Sequence, residues 1–430
     1  MLDESLLDAP EALALADRRG LLRGAAEAGA RVRTAARHAA EAGIAELRPE
    51  GRPRAVLVAG PGTAAAGVAD LVGALAGAAA PVIRLAPTGV APAAGALRWS
   101  LPGWAGSVDL LLVPTTDGSE PGLALLAEQA YRRGITVVAV APKSSPLAEA
   151  VGGSRGLLVP MAMAPHETVP EYGETLAASP GALWALFTPL LALLDRVGLV
   201  DAPPAALEQV ADRLDRTAER CGPAIATYGN PAKTLAAELA DSLPLIWTEG
   251  EAAGPAGRRF AAVLAELSGL PALAAELPEA MSAHGVLLAG DYAAGADPDD
   301  FFRDRVEEQQ ALRARVVLLR DRPTGRGRAN EAAPPDGARP GGPGGPGPTG
   351  GPEGPTGPAD RTGPESAVDP ETGALSAAPA ARELVLGHGT PISELEPDEG
   401  TALEALAELL AVTDFAAVYL SLASAGLSPR

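Results

Sequence analysis

Two hydrophobic periods alternate along the chain. The run RPRAVLVAG ends in a glycine turn, Gly60-Pro61-Gly62, and the helical stretch AAAGVADLVGALAG follows it. The alternation continues through PVIRLAP, VDLLLVPTT, the helical PGLALLAEQAYRRG and ITVVAVAP. Short apolar runs separated by amphipathic helices predict a parallel sheet with helices on both faces. After the helix ALWALFTPLLALLDRVGL the pattern restarts. LPLIWTEG reads as a strand, RRFAAVLAELSG as a helix, and HGVLLAGDY, ARVVLLRD and ELVLGHG as strands; ELLAVTDFAAVYLSLASAG closes the chain as a helix. Residues from about 3 to 48 carry helical spacing, as in LLDAPEALALAD. The expected organisation is an N-terminal helical segment (1–48) and two similar units in series (49–200 and 201–430). The fold class is α/β, with two tandem, mostly parallel sheets flanked by helices.

Residues 322–380 break the second unit. RPTGRGRANEAAPPDGARPGGPGGPGPTGGPEGPTGPADRTG holds almost no large apolar side chain, so it cannot bury enough surface to offset its chain entropy. A disordered insertion is expected there, and closure entropy grows slowly enough with length for a fold to carry it. Glycine does not hold every third position, which excludes collagen.

Composition narrows the function classes. Of 430 residues, 47% are hydrophobic and 3% aromatic, so the interior is built from Ala, Leu and Val. The formal charge of −20 opposes nucleic acid and anionic membrane, and any phosphate site must rely on local donors. A single cysteine, Cys221, excludes an intrachain disulfide framework and is expected to be inert. The acidic start MLDESLLDAPEAL has no basic n-region, and the run ALWALFTPLLALLDRVGL meets Asp195 too soon to span a bilayer. A cytoplasmic protein without a nucleic-acid or membrane partner is the expectation.

Three places carry candidate chemistry. AGPGTAAAGVAD and VPTTDGSEPG put Gly60, Gly62, Thr63, Thr115, Thr116 and Ser119 at neighbouring strand ends. There, helix-start amides and hydroxyls can hold a small phosphate, or serve merely as capped strand-to-helix turns. G-P-G-T-A-A-A-G fits a dinucleotide fingerprint poorly, and no Walker lysine follows. Glu266 lies off the apolar stripe of Phe260, Val263, Leu264 and Leu267, on the flank shared with Arg259 and Ala262. It is either a solvated carboxylate or a base at a domain cleft. His284 precedes the VLLAG run in what reads as a loop. The four histidines form no H-x-H or H-E-x-x-H pair, so no metal site is expected.

NPAKTLAAELADSLPLIWTEG and RRFAAVLAELSGLPALAAELPE resemble the second half of the bifunctional phosphoglucose/phosphomannose isomerases of the sugar isomerase (SIS) superfamily, and DFAAVYLSLASAGLSP is similar to that family's C-terminal helix. VPTTDGSEPGLALLAEQAYRRGITVVAVAP resembles its phosphate loop, helix and next strand. The resemblance implies two SIS domains, a homodimer, no cofactor, and interconversion of fructose 6-phosphate with glucose 6-phosphate or mannose 6-phosphate. It places Glu266 on the family's base. Thr116 and Ser119 fall on hydroxyl positions of an S-x-S-G-N-T loop, and Thr63 stands in for the serine of G-x-G-G-S. The family's histidine slot holds Ser282, with His284 two residues later. The family's arginine maps near Pro180 or Gly181, and Lys143 and Arg430 are the cations left to replace its missing groups. Each positioned acid or base contributes about 10²–10⁴-fold. Two readings therefore stand: a cofactor-independent aldose–ketose isomerase using Glu266 and His284, or a non-catalytic sugar-phosphate sensor or scaffold.

Overall fold

The computed structural model describes residues 3–89, 95–161, 179–290, 292, 312–321 and 376–425. Four helices lead in: α1 (Glu4–Leu7), α2 (Pro10–Ala16), α3 (Leu21–Ala26) and α4 (Ala28–Glu41). The first α/β set is β1 (Val56–Ala59), α5 (Gly62–Ala76), β2 (Val82–Leu85), β3 (Leu110–Pro114), α6 (Pro121–Arg132), β4 (Thr136–Ala141), α7 (Pro146–Gly153), β5 (Leu157–Pro160) and α8 (Pro180–Arg196). Two helices, α9 (Pro204–Arg220) and α10 (Pro231–Leu239), lead to the second set. That set is β6 (Ser242–Glu249), α11 (Ala253–Ser268), β7 (Leu273–Glu276), α12 (Glu279–Ala289), β8 (Arg313–Arg320), α13 (Ala378–Gly387), β9 (Ile392–Leu395) and α14 (Ala402–Ala425).

Every pairing within the two sheets is parallel, in the orders β2-β1-β3-β4-β5 and β7-β6-β8-β9. Each order reverses once, between β1 and β3 and between β6 and β8, leaving a crevice beyond the strands' carboxyl ends. The two faces of each sheet feed different cores, because side chains alternate along a strand. Val56, Val58, Leu110 and Leu112 pack with α4, α5 and α8, whereas Leu57, Ala59, Leu111 and Val113 pack under α6 and α7. In the second sheet Ile246 and Val317 meet α11 and α14, while Trp247 and Leu318 face α12 and α13.

Two expected strands are helices. HGVLLAG belongs to α12, where Ala280, His284 and Leu288 recur every four residues on the buried face. ELVLG belongs to α13, with Ala378, Ala381 and Val385 buried. A short apolar run satisfies either period, so the sequence alone could not separate the two. Positions 322–375 of the expected insertion lie outside the described residues, and α13 begins inside its expected C-terminal boundary. The short strands β5, β7 and β9 have no counterpart in the sequence pattern as read above.

Two buried polar arrangements tie the elements together. Arg259 of α11 donates through Nη2 to both carboxylate oxygens of Asp414 in α14, each at 2.9 Å, with side chains only 1% and 5% exposed. His284, expected in a loop, is buried in α12, and its Nδ1 accepts from Trp247 Nε1 at 3.0 Å. Burial lowers the imidazole's pKa below its usual value. Helix α14 is buried on nearly every side and splits its side chains between cores: Leu406 and Leu410 join the first, Phe415 and Tyr419 the second. Its Ala402–Ser424 stretch has the length and apolarity of a membrane span, yet 94% of its most apolar window is buried inside the protein.

Removing one partner of a buried ion pair strands the other charge. Asp414→Ala should therefore cost about 3–5 kcal/mol in urea unfolding, and Arg259→Leu/Asp414→Leu should recover most of that loss. A single variant as stable as the parent would show the pair to be dispensable. For His284 the unfolded imidazole takes up a proton near its usual value of about 6.5, while the buried one resists it. Stability should thus fall as pH drops below that value, and His284→Gln should flatten this part of the profile. Identical slopes for parent and variant between pH 7 and 5.5 would refute the assignment.

Candidate functional site

The two rims differ in what fills them. At the second, Asp321 accepts from the Ala252 amide at 2.7 Å, at the start of α11. Glu249 accepts from the amides of Ala377 and Ala378, at 2.6 and 3.2 Å, at the start of α13, and from Arg320 Nε at 2.9 Å. Gly250, at φ 110°, lets this happen: a Cβ there would lie 1.7 Å from the Asp321 carboxylate. The chain's own carboxylates thus take the helix-start donors that an anionic ligand would use.

The first rim keeps such donors. Helix α5 has no side-chain cap, so its first-turn amides face outward beyond β1. Gly60 is buried and demanded by packing, since a Cβ would sit 2.3 Å from the Pro114 carbonyl oxygen and 2.6 Å from the Ala65 Cβ. Gly62 is exposed, with φ 75°, where a side chain would be strained. Thr63 and Thr116 are half-buried on the β1 and β3 loops, and Ser119 is exposed. Thr115 is buried, and its hydroxyl accepts from the Gly118 amide at 3.1 Å, which fixes the loop. The β4–α7 loop packs on the same turn, where a Cβ on Gly118 would lie 2.6 Å from the loop's Ser145 Oγ, and the Leu147 amide in the first turn of α7 donates to the Gly118 carbonyl at 3.1 Å. That loop presents Lys143, exposed, beside the rim. Arg430 lies outside the described residues.

Glu266 reaches this rim from the second α/β set. The Thr63 hydroxyl donates to its carboxylate. Eight residues earlier on α11, Arg258 Nε donates to Asp70 of α5 at 3.1 Å. The two pairs run in opposite senses along the helices, so α5 and α11 pack antiparallel and the C-terminal end of α11 meets the N-terminal end of α5. Arg259 and Glu266 are seven residues apart and share one helix face. That face turns toward the first α/β set: Arg259 is buried in it and Glu266 emerges at its edge.

His284 is not brought to Glu266. It lies on the buried face of α12 against Trp247, on the opposite face of the second sheet from α11. The position where the resemblance expects an arginine, near Pro180 and Gly181, is buried at the start of α8, and a Cβ on Gly181 would lie 2.4 Å from Arg31 Nε. Cys221 is fully buried and its thiol is pushed up to about 11 by burial, so it stays protonated at neutral pH. Among the described residues no group of three or more His, Cys, Asp or Glu is arranged to hold a metal ion. The feature missed from sequence is Asp117, whose carboxylate accepts from the Ser119 amide at 2.9 Å and hydroxyl at 3.1 Å. Its place inside the hydroxyl-rich loop was the available signal.

Chemically, the first rim offers uncapped amides, hydroxyls and one lysine to an oxyanion, with a carboxylate facing them. Residues 229–332 match the family model of the bacterial phospho-glucose isomerase C-terminal SIS domain. A Silicibacter pomeroyi protein assigned as a phosphosugar isomerase is 16% identical, with 94% of this chain and 98% of that one covered at a TM-score of 0.52. The C-terminal domain of glucosamine-fructose-6-phosphate aminotransferase from Francisella tularensis is 12% identical over 94% and 96% of the two chains, at a TM-score of 0.49. A glucose-6-phosphate isomerase-like protein from Thermus thermophilus is 17% identical over 94% and 92%, at a TM-score of 0.42. A search of curated protein sequences finds no match. At 16% identity the likeness to the Silicibacter pomeroyi structure shows the fold alone, and the family model speaks for residues 229–332. Residues 229–332 are thus identified as an SIS domain of the bacterial phospho-glucose isomerase C-terminal type, within a chain that carries two α/β sets in series.

Proposed function

We propose that this chain binds a sugar phosphate at the rim between β1 and β3 and acts as a non-catalytic sensor or scaffold derived from the sugar-phosphate isomerases. The phosphate would sit on the first-turn amides of α5, the hydroxyls of Thr63, Thr116 and Ser119, and the ammonium of Lys143. Glu266 would contact the sugar. The observation that carries the reading is the separation of the two candidate acid/base groups: Glu266 stands at this rim, and His284 is enclosed across the second sheet with its Nδ1 already engaged by Trp247. Interconversion of aldose and ketose needs ring opening, a C1/C2 proton shift and a cation at the enediolate oxygen. The start of α8 carries no cation of its own, and the guanidinium packed against it, Arg31, is buried and paired with Glu27. The reading includes a cytoplasmic homodimer that uses no metal or organic cofactor, in line with the family resemblance. The net charge of −20 supports the absence of nucleic-acid and anionic-membrane partners.

The alternative, an isomerase with Glu266 as base, is separated by two measurements. Fructose 6-phosphate, glucose 6-phosphate or mannose 6-phosphate at millimolar concentration should raise the melting temperature by mass action, and a coupled assay on fructose 6-phosphate should stay at the blank. Absence of any shift would remove the binding reading. Turnover that drops about 10²-fold or more in Glu266→Gln would establish the isomerase instead.

A further inference from the structure

The donors at the first rim are not idle. Asp117 stands where the S-x-S-G-N-T pattern of the phosphate loop has glycine, and its two carboxylate oxygens take both the amide and the hydroxyl of Ser119. Glu266 takes the hydroxyl of Thr63 across the cleft. Two of the three hydroxyl anchors therefore already donate to carboxylates of the chain. Thr116 makes no side-chain hydrogen bond among the described residues. At the second rim carboxylates from distant positions, Asp321 and Glu249, are instead seated on helix-start amides. The first rim differs in that its carboxylate is movable: Asp117 is solvent-exposed and makes no ion pair among the described residues, whereas Asp321 is buried beneath Gly250.

Resting on the sugar-phosphate reading, we propose that Asp117 is an internal anion that occupies the phosphate cradle and sets its affinity and selectivity. A phosphate in this cradle competes with Asp117 for the Ser119 hydroxyl and brings negative charge of its own. It binds only when the Asp117 carboxylate swings out, and it is repelled by that carboxylate afterwards. The site therefore favours ligands whose sugar hydroxyls add enough contacts to displace Asp117, and it excludes bare inorganic phosphate at ordinary concentrations. Asparagine at this position keeps an oxygen to accept from the Ser119 amide, so the turn survives while the charge and the second acceptor are lost.

The test is calorimetric titration of the full chain with fructose 6-phosphate and with inorganic phosphate. The proteins compared are the parent, Asp117→Asn, Asp117→Gly, and Asp201→Asn as a distant control with the same charge change; unchanged melting temperatures confirm folding. Both Asp117 variants should bind fructose 6-phosphate about tenfold tighter and gain measurable binding of inorganic phosphate, with Asp201→Asn like the parent. Equal or weaker binding in both Asp117 variants overturns the proposal while leaving the sugar-phosphate reading intact. An equal gain in Asp201→Asn also overturns it, because net charge would then be the cause. If no variant binds either probe, the sugar-phosphate reading itself fails and this proposal falls with it.

Discussion

The antiparallel contact between α5 and α11 is the constraint on which the site depends. Each helix follows a central strand of its own sheet and leaves that sheet's rim. Packed in opposite senses, they carry the far end of one to the near end of the other. Side chains pin both ends, Thr63 to Glu266 and Asp70 to Arg258. Between these pins, Arg259 is buried against Asp414, which holds α11 to α14. Because α14 also lends Leu406 and Leu410 to the first core, a shift of α11 would disturb both cores together.

Two crevices of the same topology have come to different ends. The second is filled by carboxylates that cap two helices and occupy the amides of Ala252, Ala377 and Ala378. The first retains uncapped helix amides and a lysine, yet Asp117 and Glu266 already take some of its hydroxyls. A chain with formal charge −20 gains no long-range attraction for a phosphorylated ligand, so local donors must supply the binding. In the proposed sugar-phosphate reading, how those donors are shared between ligand and protein is then the main control on affinity.

The sequence was most legible where several signals agreed. VDLLLVPTT is apolar, short and followed by a turn and an amphipathic helix, and β3 and α6 form there. HGVLLAG and ELVLG had only apolarity to offer, and burial on a helical face decided their form. At the site, the glycine turn and the hydroxyl loop were visible because strand ends in a parallel sheet are a predictable address. The meeting of Glu266 with Thr63 had no signal in the sequence, because no local pattern couples residues 203 positions apart.

The alternation of apolar runs and amphipathic helices by itself determined two parallel α/β sets, since each element must bury its apolar face against a neighbour. It also placed the donor-rich turns at strand ends, because glycine and hydroxyl residues interrupt both periods there. The tertiary structure alone decided which donors remain open and which side chains can meet. His284 and Glu266 lie 18 positions apart, yet a sheet stands between them, and the one faces a tryptophan while the other faces a threonine of the first α/β set. Side-chain chemistry follows the surroundings, and packing between elements distant in sequence creates those surroundings.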